Sequence, residues 1–266
     1  MTDLYYDTTG DGPTLLIIPG GAGHPMGLDA MTDVLSAHFT VVVLDPLGLA
    51  HGRLGEPVAD QRVQDWSDRA RRVLDATLPE GESAYVLGTS AGAIVALDLL
   101  ARHPERLRHV VVHEPPCVGV LPDGARQQAR FGEICDVYRT KGLTAAGALM
   151  TAVLEEREVE GELADGQPLA REEELTNPMA LSLAHVLRPF TAYVPEPGRP
   201  SSARLTVGAG ADSRGQLLHR TAEFLAKDRQ TDLVEFPGGH LGILQHPADF
   251  AERLTRTLLG ADARSR

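Results

Sequence analysis

Four short runs in the first 113 residues are apolar at every position: Leu15-Leu16-Ile17-Ile18, Val41-Val42-Val43-Leu44, Ala84-Tyr85-Val86-Leu87 and Val110-Val111-Val112. A strand with one wet face alternates apolar and polar residues; a run without alternation must be covered on both faces. Between these runs lie stretches with helical spacing, at 28–37, 91–102 and 63–78, the last carrying Trp66, Ala70, Val73 and Leu74 on one face. Strand–helix alternation of this kind specifies a mostly parallel sheet with helices on both sides. Residues 4–7 read as an edge strand closed by the turn Gly10-Asp11-Gly12-Pro13.

The rhythm stops after Pro115-Pro116 and returns with a strand at 204–207, a helix at 217–226, a strand at 232–236 and a helix at 247–259. From 121 to about 200 there is no clear buried strand; helical patterns cover 126–138, 144–157 and 172–187. The expected organisation is an α/β core over 1–116, a helical cap insertion over 117–200 ending in a proline-rich linker at 195–200, and the rest of the core over 201–266, with a frayed tail from 261.

A chain of 266 residues has room for a large single core. No apolar run is long enough to cross a bilayer, and the first residues lack the basic start and apolar stretch of a signal peptide. With only Cys117 and Cys135 there is no disulfide framework, which fits a cytoplasmic location. The formal net charge of −12 argues against nucleic acid or an anionic membrane as partner.

The chemistry concentrates on Gly88-Thr89-Ser90-Ala91-Gly92, a Gly-x-Ser-x-Gly turn between the third apolar run and its helix. So tight a reversal presents the Ser90 hydroxyl beside a helix N-terminus, where negative charge is favoured. The plainer reading, a serine capping a helix between two glycines, is common. A nucleophilic serine needs a base. His240, in Pro237-Gly238-Gly239-His240 after the last strand, can reach over the same sheet edge; His24 and His51 lie on loops there as well, while His103, His109, His219 and His246 sit on helices or loops where a solvated role suffices. Two carboxylates compete to orient the imidazole: Glu114, separated from the fourth apolar run only by His113, and Asp212 after the 204–207 strand. Either can be read more simply, Asp212 as a turn former, whereas Glu114 after three valines should need a partner. The N–H groups of Ala91 and of the Gly20-Gly21-Ala22 loop, Gly21 foremost, are the candidates to hold an oxyanion. Gly20, His24, His185 and Phe190 are candidate pocket residues, with Phe131, Met150, Leu181 and Tyr193 further along the cap, although core packing explains the apolar ones equally well.

Gly-Thr-Ser-Ala-Gly, the late Gly-Gly-His, the Gly-Gly-Ala-Gly loop and the inserted helices together resemble the α/β-hydrolase fold over almost the whole chain. Within it the likeness is to the zearalenone-lactone hydrolase group, whose acid is a glutamate in a His-Glu-x-Pro segment, here His113-Glu114-Pro115-Pro116. The resemblance implies a serine hydrolase acting on a small ester or lactone through an acyl-enzyme, with Ser90, His240 and Glu114 ahead of Asp212 as the triad and no metal or organic cofactor. A homodimer is compatible with it. The substrate does not carry over, and a non-hydrolytic cyclase, lyase or binding protein on the same fold stays open. A dinucleotide site, suggested by Gly21-Ala22-Gly23 and by Asp45 ending the next strand, has its third glycine one place late and is interrupted by Pro25. A zinc site at His113-Glu114 is excluded, because two prolines forbid the helix that would align its ligands.

Overall fold

In the computed structural model, which describes residues 4–159, 161–163, 166–196 and 202–262, the apolar runs lie side by side in a seven-stranded sheet. The strands are β1 (Tyr6–Thr9), β2 (Thr14–Ile18), β3 (Thr40–Leu44), β4 (Ala84–Thr89), β5 (Leu107–His113), β6 (Arg204–Gly210) and β7 (Asp232–Phe236). Their order is β1-β3-β2-β4-β5-β6-β7, antiparallel only at β1–β3. The helices are α1 (Asp29–Leu35), α2 (Val63–Thr77), α3 (Ala91–Arg102), α4 (Gly124–Leu154), α5 (Arg171–Leu175), α6 (Pro178–Leu181), α7 (Leu187–Thr191), α8 (Leu217–Arg229), α9 (Gly242–Gln245) and α10 (Pro247–Asp262). The expected mostly parallel sheet with helices on both faces is what the chain forms.

Each buried strand sends alternate residues to two separate apolar layers, as the period of two requires. Leu16, Val42, Val86, Val110 and Val112 pack with α2, α3 and α8; Leu15, Ile17, Val41, Tyr85, Leu87 and Val111 pack with α1 and α10. The edge strand lies two residues later than expected, at Tyr6–Thr9, because its register is set by pairing with β3. β6 runs on to Gly210, past the 207 expected, since Gly208 pairs with His113 and Gly210 with Phe236. Two small residues and a glycine thus form strand where composition alone suggests a loop.

Between β5 and β6 the described residues form no strand. The two helices expected at 126–138 and 144–157 are the halves of α4, broken at Gly142, whose φ of 82° and ψ of −171° lie far from helical values. The stretch expected as one helix over 172–187 is interrupted: Asn177 caps α6 by accepting from the N–H groups of Met179 and Ala180, Pro178 occupies the first turn, and a π-helical turn (Ser182–Val186) leads into α7. These helices share a third apolar cluster with Leu217 and Leu218 of α8. The linker expected at 195–200 and the tail from 261 lie largely outside the described residues.

α7 belongs to the main core. Phe190, expected in a pocket, is 1% exposed and packs edge-on against Trp66 at 5.0 Å. Tyr193 just beyond it donates its hydroxyl to the buried Asp98 of α3 at 2.6 Å.

The closest backbone approach lies at the start of α3. A Cβ on Gly92 would stand 2.0 Å from the carbonyl oxygen of Ile18, and one on Gly88 would stand 2.4 Å from the carbonyl of Gly92 itself. An alanine within a helix ordinarily adds up to about 1 kcal/mol of stability over glycine. Here Gly92→Ala is expected to reverse the sign and destabilise by roughly 2–3 kcal/mol through overpacking, visible as a lowered urea midpoint; a midpoint at or above wild type would contradict the close approach.

Candidate active site

Three segments that follow β4, β5 and the edge strand β7 each deliver one polar side chain to the same end of the sheet. Ser90 stands between β4 and α3 with φ 52° and ψ −121°, a conformation seldom adopted outside glycine. Its N–H donates to the carbonyl of His113 at the end of β5. That tie locks the bend to the neighbouring strand. Glu114 follows with φ 45°, its own N–H donating to Gly208 of β6. His240 comes on the loop after β7.

Side chains complete what the backbones arrange. His240 Nδ1 lies 2.9 Å from Glu114 Oε2, and His240 Nε2 lies 3.1 Å from Ser90 Oγ. Glu114 is fully buried. Its other oxygen accepts from the Gly210 N–H at 2.9 Å and from the Ser213 hydroxyl. Burial by itself would raise its pKa, but the His240 hydrogen bond, the imidazole's charge and the Ser213 hydroxyl together hold it down at about 2. An ionised carboxylate requires the proton on Nδ1, which leaves the Nε2 lone pair to accept from the serine hydroxyl. The arrangement can therefore take a proton from Ser90 and return it to a leaving group.

Of the two carboxylates that sequence left in competition, Glu114 holds the imidazole. Asp212 is exposed; it contributes its backbone N–H, donated to Gly238 at 3.0 Å, to the loop that carries His240. Because β6 extends to Gly210 and ends in a short 3₁₀ turn (Ala211–Ser213), the residue facing the site is Ser213. Sequence reasoning missed Ser213, and the only cue was its place three residues past the Gly-Ala-Gly of β6.

Gly20 lies against the nucleophile: a Cβ there would be 2.8 Å from Ser90 Cβ. Gly21 has φ 58°, occupies a turn closed by the Gly23 N–H on the Gly20 carbonyl, and faces open space. His24 is half-buried and accepts from the Met26 N–H at 3.1 Å. His185 is a strut between segments: Nδ1 is 2.9 Å from Asp60, and its carbonyl accepts from the Gln61 N–H. Asp45, the acid of the dinucleotide reading, is buried and turned inward, where it meets Leu49 N–H, Ala50 N–H and His51 Nδ1 of the turn that follows β3. Cys117 is equally unsuited as a second nucleophile, its thiol pushed up to about 12 by burial. Among the described residues no cluster of three or more His, Cys, Asp or Glu could hold a metal ion, and no helix is long and apolar enough to cross a membrane.

Comparison with known proteins agrees with this layout. The alpha/beta hydrolase family profile matches residues 15–253, from β2 into α10. The chain belongs to the alpha/beta hydrolase family. One relative of this hydrolase is the uncharacterized hydrolase YraK of Bacillus subtilis (strain 168), 28% identical over 255 residues, which span 95% of this chain and 91% of YraK. The zearalenone hydrolase of Bionectria ochroleuca is a partial relative, 30% identical over 115 residues, 42% of this chain and 43% of that one. Among solved structures, carboxylesterase CesB (YbfK) from Bacillus subtilis superposes with a TM-score of 0.58 at 18% identity, covering 97% of this chain and 92% of that one.

Next to Glu114 sits a histidine with a different lot. His113 has no exposed surface, lies edge-on to Phe236 and Phe250, and neither ring nitrogen has a hydrogen-bond partner. Burial lowers its pKa to about 4. Since the folded state protonates it less readily than the unfolded chain, its contribution is complete above about pH 6.5 and is lost as pH falls from there toward 4, roughly 3 kcal/mol in all. The depressed Glu114 loses its share in the next window down, from about 4.5 toward 2. Urea titrations at pH 7 and pH 4.5 should show His113→Leu falling less in stability between the two than wild type; equal falls would mean that this histidine is not held neutral.

Proposed function

We propose that this hydrolase cleaves a carboxylic ester, lactones included, by way of an acyl-enzyme on Ser90. The observation that carries the reading is the unbroken hydrogen-bond chain from Ser90 Oγ through His240 to the buried Glu114, starting from a serine whose own backbone is strained. The fold shared with a carboxylesterase and a partial likeness to a zearalenone hydrolase support it.

In this scheme Ser90 Oγ attacks the acyl carbon as its proton passes to His240 Nε2. The N–H groups of Gly21 and Ala91 receive the charge that develops on the carbonyl oxygen. Collapse expels the alcohol, which takes the proton from Nε2; for a lactone the alcohol remains tethered to the acyl group. Water then attacks the acyl-enzyme, giving its proton to the same nitrogen, and Ser90 leaves with it as the free acid is released. Glu114 stays ionised throughout and stabilises the imidazolium formed in each half.

The helices between β5 and β6 serve in this reading as a cap. Leu181 and Leu175 pack with Ala22 of the Gly20–Gly23 turn, and Leu175 accepts from the Gly55 N–H across to the loop after β3. The exposed Met26, Leu241 and Leu244 form an apolar margin where the two edge loops meet, Gly27 lying against Leu244, which favours a substrate with an apolar limb.

With p-nitrophenyl acetate as substrate, Ser90→Ala and His240→Ala should each abolish turnover above background. Glu114→Gln should lower kcat by about 1,000- to 10,000-fold, whereas Asp212→Asn should stay within about twofold, as expected for an exposed surface change. Wild-type activity in the Ser90 variant, or equal mild losses in both acid variants, would defeat the scheme.

A further inference from the structure

A glutamate carboxylate is poorly fixed by its own covalent geometry, because its terminal torsion is broad and roughly two-fold. What sets the plane of the Glu114 carboxylate must therefore be its donors. One oxygen, Oε2, is committed to His240 Nδ1. The other, Oε1, receives two: the Gly210 N–H and the Ser213 hydroxyl. Ser213 is 1% exposed, and its Oγ also lies 2.9 Å from the Gly210 carbonyl. A serine has a single proton to donate, and between a neutral carbonyl and a carboxylate the charged acceptor binds it more strongly. With both lone pairs of Oε1 occupied, the carboxylate cannot turn about its axis without breaking two charge-assisted bonds in a site closed to water.

We propose that Ser213 is a positioning residue for the reaction at Ser90, acting through Glu114: its hydroxyl pins Oε1 so that Oε2 faces His240 Nδ1. The inference rests on the ester-hydrolase reading for its kinetic consequence, but not for its structural one. Ser213 touches no reacting atom. Its removal would leave the buried carboxylate with the Gly210 N–H alone on that side, free to rotate, and the imidazole would lose the fixed partner that holds its tautomer and direction. The turn that presents Ser213 is itself tied to the loop carrying the base, through Asp212 N–H on Gly238, so one short segment aligns both members of the pair.

The test uses the full-length chain and two readouts. In the free protein, the proton shared by His240 Nδ1 and Glu114 gives a downfield imidazole resonance in proton NMR, assigned by its absence in Glu114→Gln. Ser213→Ala should shift or broaden that resonance, and should lower kcat on p-nitrophenyl acetate by about 10- to 100-fold with KM changed by less than about threefold. Ser213→Thr, which keeps a hydroxyl on the same carbon, should restore both. An Ala variant whose resonance is unmoved overturns the proposal whatever happens to the rate, and so does a Thr variant as impaired as Ala. Absence of Ser90-dependent hydrolysis in wild type would remove the ester reading alone, since the resonance still decides the role of Ser213.

Discussion

Taking a carboxylate fully out of water costs several kcal/mol unless other groups replace its hydration. Glu114 meets that condition with three donors from three parts of the chain: the end of β6, the turn after it and the loop after β7. Each is a backbone or side-chain group whose placement depends on the parallel register of the sheet, because His113 must pair with Gly208 for Glu114 to point toward Gly210. The acid is thus both a product of the sheet and a clamp on its last strands. Held down at about 2, the carboxylate keeps its charge through the weakly acid and neutral range, and with it its hold on the Nδ1 side of His240.

The bend at Ser90 is secured by packing of another kind. Gly92 sits against the carbonyl of Ile18, so β2, which leads into the Gly20–Gly23 turn, and α3, which begins at Ala91, come as near as two backbones can. The same contact brings the turn after β2 against the bend, with Gly20 beside Ser90. Strain in the Ser90 backbone is opposed by the hydrogen bond of its N–H to β5 and by the buried apolar face of α3. Ser90, His240 and Glu114 are held after separate strands, and the two glycines of the motif let α3 pack closely against β2 and β4.

Much of this was legible in the residues. Uniformly apolar runs declared the buried parallel strands, and the glycine spacing around Ser90 announced the bend. His240 stood out because a glycine-rich loop after the last strand is where a base can reach the same edge. The acid was harder, since two carboxylates follow strands at that edge and one-dimensional pattern does not say how far β6 continues. Pairing with β5 and β7 carries the strand through Gly208-Ala209-Gly210, and that extension turns Asp212 to solvent and Ser213 inward. Phe190 was ambiguous for a related reason: helical spacing tells which residues share a face but not which surface that face meets. His113 gave no sign of its isolation, because a histidine that ends a strand is usually wet.

The way α7 is rooted separates the covalent limits of the inserted helices from their mechanical ones. Phe190 is wedged against Trp66 of α2, and Tyr193 is bonded to Asp98 of α3, so the last turns of the insertion move with the sheet's own helices. The first part, through α4 to α6, leans on α8 and on the turn beside the nucleophile instead. Arg188 of α7 still reaches back to α4, donating to the Gly132 carbonyl and to Asp136, so any exchange of this region, by evolution or by a chimera, has to keep that link across the seam ahead of Leu187. Upstream of that seam the roof can be rebuilt for a new guest; downstream of it, a change reaches the foundations.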